Sequence, residues 1–256
     1  MRIIAGEFRS RKLHTPPDDS ITRPIPDRVK ESLFGLLRGH CEGANVFDGF
    51  AGTGALGLEV VSRGAARCVC VEQDKNIAAI LSRNVEMLGA KDRCEVVVGD
   101  ALGAGALARG PRPLTLAFLD PPYPLIQAPI GFRRVMAQLE KLLELLSPDG
   151  FAVLRTPWPL RHQQGGSPAA PARPERRHKG RSPRHNRHNW RHGLDETEPG
   201  RAARDQAPEM VEEAEPAESI DAPKPVWVDV DLKLAMARGP ETHVYHNMAV
   251  HLYMRK

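Results

Sequence analysis

Between residues 40 and 155 short apolar runs alternate with amphipathic stretches, and this order limits the folds open to the chain. Asn45-Val46-Phe47 leads into a glycine-rich loop, and Ala55 to Arg63 reads as a helix. Arg67 to Val71 reads as a second strand. Lys75 to Leu88 reads as a helix with Ile77, Ile80, Leu81, Val85 and Leu88 on one face. Glu95 to Val98 and Leu114 to Leu119 are further strands, Phe132 to Leu146 a further helix, and Gly150 to Leu154 a fifth strand. Strands separated by helices cannot close as tight hairpins. The pattern therefore predicts βαβ units with right-handed crossovers and a doubly wound, mostly parallel α/β sheet. Ligands of such sheets sit outside the carboxyl ends of the strands. That rule directs attention to the acids that end them: Asp48, Glu72, Asp100 and Asp120.

The first strand runs into Asp48-Gly49-Phe50-Ala51-Gly52-Thr53-Gly54-Ala55-Leu56-Gly57, in which Gly52, Gly54 and Gly57 satisfy the GxGxxG pattern of nucleotide cofactors. Asp48 bears on which cofactor. A dinucleotide would bring its pyrophosphate to this turn, and a carboxylate there repels it. A ligand carrying an ammonium and a sulfonium suits the carboxylate, with its own carboxylate near the helix N-terminus; S-adenosylmethionine has all three groups. Glu72 is placed to accept hydrogen bonds from ribose hydroxyls, a role that serves either cofactor. Asp100 is placed to accept from an adenine amine. The expected cofactor contacts are thus Asp48, Gly49, Phe50, Ala51, Gly52, Gly54, Glu72 and Asp100.

The fourth strand stops at Asp120-Pro121-Pro122-Tyr123. Prolines donate no ladder hydrogen bonds, so the strand ends there. An exocyclic nucleobase amine is a poor nucleophile because its lone pair is delocalised into the ring. A carboxylate at Asp120 accepting one N–H, and the Pro121 carbonyl accepting the other, would draw the nitrogen toward a tetrahedral form. The paired prolines stiffen the loop, and the Tyr123 ring offers a face for a base turned into the site. Asp120, Pro121, Pro122 and Tyr123 are the expected catalytic group.

Outside this region composition decides the reading. From Arg161 to Ala222 the chain is rich in Pro, Arg, His and Glu and poor in aliphatics, basic in its first half and acidic in its second. Such a stretch buries too little apolar area to offset chain entropy, so residues 161–222 are expected to be a disordered, charged insertion. One domain then comprises residues 1–160 and 223–256, with 1–26 as an arm. Val226 to Met236 and His243 to Tyr253 suggest a closing hairpin that turns near Arg238-Gly239-Pro240. The formal charge of +4 tilts the chain toward anionic partners. In the arm Arg2, Arg9, Arg11 and Lys12 stand against Glu7, a pattern suited to RNA phosphates. Asp27 is the expected N-cap of a helix to Leu37. Cys41, Cys68, Cys70 and Cys94 form no CxxC pair and read as buried thiols of a reducing compartment. No metal, no leader and no membrane span are expected, which places the chain in the cytoplasm.

The stretches FDGFAGTGALGLE, VEQD, GDA and LDPPY, in this order, resemble the class I S-adenosylmethionine-dependent amino-methyltransferases. MRIIAGEFRSRKLHTP followed by ITRPIPDRVKESLFGLL resembles the bacterial RsmD family, the 16S rRNA guanine-N2 methyltransferases. The resemblance covers about residues 1–155 and, more weakly, the closing HNMAVHLYMRK. It implies a Rossmann-like sandwich of seven mostly parallel strands, closed by an antiparallel hairpin and preceded by a β-hairpin arm. It also implies that Thr22, Arg23 and Pro24 cover the cofactor at its methionine end. The substrate implied is 16S rRNA or a small-subunit assembly intermediate, and a monomer is expected. The chain departs from the family where strand five ends Val153-Leu154-Arg155-Thr156, a place where relatives more often carry an acid, and in the long insertion; neither is expected to touch the chemistry, and both are expected near the path of the RNA. The residues alone leave other readings open: a DNA or protein amide amine as substrate, a non-catalytic RNA-binding factor, or a nicotinamide dehydrogenase.

Overall fold

The computed structural model describes residues 1–17, 25–164 and 226–256. After helix α1 (Asp27–Leu36) the chain runs β1 (Asn45–Gly49), α2 (Gly57–Ser62), β2 (Arg67–Glu72), α3 (Lys75–Met87) and β3 (Cys94–Val98). It continues through α4 (Ala104–Arg109), β4 (Leu114–Leu119), α5 (Tyr123–Gln127), α6 (Pro129–Leu145) and β5 (Leu146–Pro157). The short β6 (Arg161–Gln164) and β7 (Val226–Asp229) precede β8 (Ala237–Tyr245) and β9 (Met248–Arg255). Seven strands form one sheet in the order β3-β2-β1-β4-β5-β9-β8. The first five are parallel, and β9 and β8 run antiparallel at one end.

The central strands are largely apolar because both sheet faces are covered. Successive side chains alternate between the faces. Val46, Cys68, Cys70, Leu116 and Phe118 point to the side of Leu33, Phe34, Leu58 and Leu81, from α1, α2 and α3. Phe47, Val69, Val71, Ala117 and Leu119 point to the side of Val135, Leu139 and Leu142 from α6. The expected doubly wound, largely parallel sheet closed by a C-terminal hairpin is the fold observed.

The hairpin has a different register from the one expected. Its strands β8 and β9 meet at the two-residue turn His246–Asn247, with Tyr245 opposite Met248. Gly239-Pro240 lies inside β8, where the ladder shifts between Arg238 and Glu241: the breaker residues make an irregularity, not the turn. Val226–Asp229 pairs instead with β6 in a separate two-stranded sheet. Arg161–Gln164, expected to begin the charged insertion, are therefore strand; the remainder of that segment lies outside the described residues. At α1, Pro26 is the N-cap and Asp27 the first helical residue, its carboxylate receiving the Arg2 Nε at 2.9 Å.

The arm doubles back on itself: the antiparallel bridge Arg2 to Lys12 is flanked by hydrogen bonds from the Ile3 amide to the Arg11 carbonyl at 3.0 Å and from the Leu13 amide to the Met1 carbonyl at 3.1 Å, with Ile3, Phe8 and Leu13 buried. Its anchor is Glu59 on α2. The Glu59 carboxylate accepts the Ile4 and Ala5 amides at 2.8 and 3.1 Å and pairs with Lys30 at 3.2 Å. Lys30 in turn donates to the Arg2 carbonyl at 2.6 Å. Both charged side chains are fully buried, which is tolerable only because each is paired and hydrogen-bonded.

Candidate active site

A cavity of about 950 Å³ opens at the carboxyl ends of the parallel strands. One wall is the β1–α2 loop, a second is Glu72 to Asp74 after β2, and a third is Asp120 to Leu125 after β4. Met1, Ile25, Ile77, Gly99, Ala101 and Arg155 also line it.

The loop is shaped by what its glycines permit. Gly54 has φ 96°, and a Cβ there would lie 2.6 Å from Leu58 and Leu81 side chains, so α2 and α3 close over it only without one. A Cβ on Gly57 would lie 2.5 Å from the Cys70 sulfur, so the third glycine lets α2 rest directly on β2. Phe50 takes the left-handed region at φ 65°, which turns the chain off the sheet. Gly52 donates its N–H to Glu72 Oε2 at 2.9 Å, and Asp74 donates to Glu72 Oε1 at 2.8 Å. Glu72 is thereby held at the cavity edge by two backbone amides.

Asp48 lies elsewhere than expected. β1 extends through Gly49, so Asp48 is an in-strand residue whose side chain alternates onto the α2 face. It is 1% exposed and does not line the cavity. Its Oδ2 accepts the Gly57 amide at 2.8 Å, while Oδ1 has no hydrogen-bond partner. Burial pushes its carboxyl well above the usual range, opposed in part by the Gly57 amide. Its role here is to hold the start of α2. Asp100 also turns away: its carboxylate accepts from Arg134 and from the Leu102 amide, both at 2.9 Å, while its neighbours Gly99 and Ala101 line the cavity. Phe50, Ala51, Gly52 and Glu72 line the cavity as expected; Gly49 and Gly54 shape the loop behind it. Thr22, Arg23 and Pro24 lie outside the described residues.

Asp120, Pro121, Pro122 and Tyr123 all line the cavity. Pro122 is the N-cap of α5, so Tyr123 stands at the first position of a short helix instead of on a loop. Asp120 meets the Arg155 Nε at 2.6 Å, and the Arg155 guanidinium carbon lies 5.9 Å from the centroid of the Tyr123 ring. The departure at Arg155 therefore does touch the candidate chemistry. Burial raises the Asp120 carboxyl above its usual range, and the Arg155 charge and hydrogen bond oppose the rise.

Reasoning from sequence gave no site role to Arg155, Gln73, Asp74 and Ile77, all of which line the cavity. A signal for Arg155 existed. Once β5 is laid beside β4, the residue after its Leu154 falls next to the residue after Leu119. Elsewhere, the arm's Arg2, Arg9, Arg11 and Lys12 are exposed, with Arg2 engaged by Asp27 and Arg11 by the Met87 carbonyl. The four cysteines are buried free thiols, with Cys68–Cys70 and Cys70–Cys94 sulfurs in contact at 3.6 and 3.7 Å.

A family model described as conserved hypothetical protein 95 matches residues 1–168. Ribosomal RNA small subunit methyltransferase D of Escherichia coli strain K12 is 38% identical over 151 residues, which span 59% of this chain and 69% of that one. The protein of the same name from Haemophilus influenzae strain Rd is 37% identical over 124 residues, 48% of this chain and 64% of that one. Among solved structures, yhhF from Escherichia coli superposes with a TM-score of 0.57 at 24% identity, covering 100% of this chain and 98% of its own, a likeness of fold. A hypothetical protein of Thermus thermophilus gives 0.51 at 31% identity over 65% of this chain and 94% of its own.

Proposed function

This chain belongs to the ribosomal RNA small subunit methyltransferase D family, the one matched by the conserved hypothetical protein 95 model, and from that premise we propose that it methylates 16S rRNA. The amine we assign is N2 of a guanine, and the methyl donor S-adenosylmethionine. The observation that carries the reading is one cavity bordered by both the glycine loop with Glu72 and the Asp120-Pro121-Pro122-Tyr123 turn. Either wall alone would suit many ligands; together they bring a nucleoside site and an amine clamp within one space.

The cavity suits the donor on two grounds. Its volume of about 950 Å³ lies at the upper end of the range usual for small-molecule sites. Glu72 offers carboxylate oxygens at the end of β2, where ribose hydroxyls are received in nucleoside-binding sheets. When bound, S-adenosylmethionine supplies an electrophilic methyl on a sulfonium. The protein's own part is to prepare the nitrogen. Asp120 accepts one N–H and the Pro121 carbonyl the other, which gathers electron density on the nitrogen and stabilises the positive charge that develops there. The proton then leaves to Asp120 or to water. Tyr123 stacks on the base and holds its plane.

Phosphate contacts from Arg9, Arg11 and Lys12 would supply affinity without base choice. We place the protein in the cytoplasm as a monomer acting on rRNA or on a partly assembled small subunit. No helix among the described residues is long and apolar enough to cross a membrane. The deciding experiment is transfer of labelled methyl from S-adenosylmethionine to small-subunit rRNA and to particles lacking this modification, followed by nucleoside analysis. Label in N2-methylguanosine at one site is expected. Label in no nucleic acid, with cofactor binding retained, would overturn the assignment.

A further inference from the structure

Arg155 is held more firmly than a surface arginine would be. Leu119 and Leu154 are paired in the β4–β5 ladder, so Asp120 and Arg155 leave the sheet side by side at its carboxyl edge. On its other side β5 pairs with β9, which sets Arg155 opposite Val250 and keeps its backbone in the sheet beyond the point where β4 ends. The side chain is only 9% exposed, and that of Asp120 17%. Three partners define its course: Asp120 Oδ1 at 2.6 Å from Nε, the Met248 sulfur at 3.8 Å from Nη1, and the Tyr123 ring 5.9 Å from Cζ.

We infer that Arg155 is a positioning residue for the Asp120 clamp, engaging one carboxylate oxygen so that the other is presented, ionised, to the substrate amine. The inference rests on the amine-methylating reading given above. A carboxylate has two oxygens, and an unrestrained Asp120 could rotate either toward the cavity or swing away. With Oδ1 tied to Arg155, Oδ2 is the oxygen left to receive an N–H. The guanidinium also restrains the Tyr123 platform, because it lies against both groups.

Charge acts in two directions here. A guanidinium beside the clamp repels the positive charge that develops on the attacking nitrogen, which costs rate. Against this, Asp120 is mostly buried, and burial alone favours its neutral form, which cannot accept an N–H at both oxygens. The groups that face it are Arg155 from β5 and Tyr123 from α5, with the acids Asp48 on β1 and Glu72 on β2 further along the sheet edge. Arg155 is the cationic side chain lining the cavity among the described residues. A protonated Asp120 would keep one strong acceptor oxygen and lose the charge that pairs with Arg155, so the ionised form is the one this clamp uses.

The test is to replace Arg155 with Gln and, separately, with Lys, and to follow the Asp120 carboxyl carbon by nuclear magnetic resonance across pH, assigned with an Asp120→Asn spectrum. Thermal melting and S-adenosylmethionine binding serve as checks that each protein folds. In Arg155→Gln the Asp120 carboxyl should titrate at higher pH than in the unaltered chain. In Arg155→Lys it should return toward the unaltered value, since the charge is restored. The acidic limb of kcat against pH should move with the carboxyl. At neutral pH kcat should fall about 10²-fold in Arg155→Gln, the scale expected when a reacting group loses its placement. Unchanged titration of Asp120 in Arg155→Gln would overturn the inference. Should Arg155→Gln not fold, an Arg155→Lys protein whose Asp120 titrates far from the unaltered value would overturn it equally. Absence of methyl transfer by the unaltered chain would fail the functional reading, while the carboxyl titration would still decide the role of Arg155.

Discussion

Asp120 and Asp48 are both acids withdrawn from solvent at the ends of neighbouring strands, yet they are placed in opposite ways. Asp120 opens on the cavity and meets a guanidinium; Asp48 is sealed under α2 with one oxygen unpartnered. Replacing Asp120 with Ala should therefore abolish methyl transfer, with a loss of at least about 10²-fold, and leave S-adenosylmethionine affinity nearly unchanged. Calorimetric titration beside a single-turnover assay separates the two; equal loss of both would remove Asp120 from the clamp. For Asp48 the expected signature is in stability. Its carboxyl is held well above its ordinary value of 3.8, so its favourable contribution is present below that value and is lost as pH rises through the raised one. Urea denaturation should accordingly show the unaltered chain losing ground to Asp48→Asn as pH rises through that window. A difference independent of pH would mean that Asp48 stays ionised. Both acids were visible in the sequence as strand-terminal residues. Their division of labour was not, because it turns on whether β1 ends at Phe47 or at Gly49, a shift in where the strand stops that decides which face the side chain joins.

At the scale of elements, α2 does more than its six residues suggest. Gly54 and Gly57 let it lie against α3 and β2, and Glu59 ties the N-terminal arm to it through two backbone amides. Lys30 of α1 reaches the same carboxylate, so arm, α1 and α2 share one buried charge pair. Arg63 pairs with the same carboxylate at 2.9 Å, so removing Glu59 leaves Lys30 charged in the core with only the Arg2 carbonyl. Glu59→Gln should cost about 3–5 kcal/mol in urea denaturation. It should also open the arm to proteolysis near Arg2, Arg9 or Arg11. A loss below about 1 kcal/mol, the scale of an exposed ion pair, would show that the pair is not the anchor. The helical period around Glu59 was readable, as was the basic character of the arm. The pairing of the two was not, since it joins residues 55 positions apart through a carboxylate that looks like an ordinary helix-surface acid. The hairpin shows the converse. Gly239-Pro240 carries a strong local turn signal, and the ladder with β9 absorbs it as an irregularity.

For the molecule as a whole, one compact unit joins Met1–Gln164 to Trp227–Lys256. Because β6 and β7 pair at the two sides of the intervening segment, a replacement of residues 166–222 by a short flexible linker should leave the fold intact. The melting temperature and S-adenosylmethionine affinity of the shortened protein should match those of the full chain; a misfolded product would show that the segment is part of the core. The order of strands and helices, the parallel sheet, the glycine loop and the acid at the end of β4 all follow from local pattern. Periodicity and punctuation act over a few residues, and they decide element type and where each element stops. Which side chain meets which is a property of strand order and register, set by packing between distant segments. The sequence by itself therefore determined a parallel α/β sheet carrying a glycine-rich loop and an Asp-Pro-Pro-Tyr turn. Only the tertiary structure decided that Asp48 lies beneath that loop and that Arg155, 35 residues beyond Asp120, holds its carboxylate.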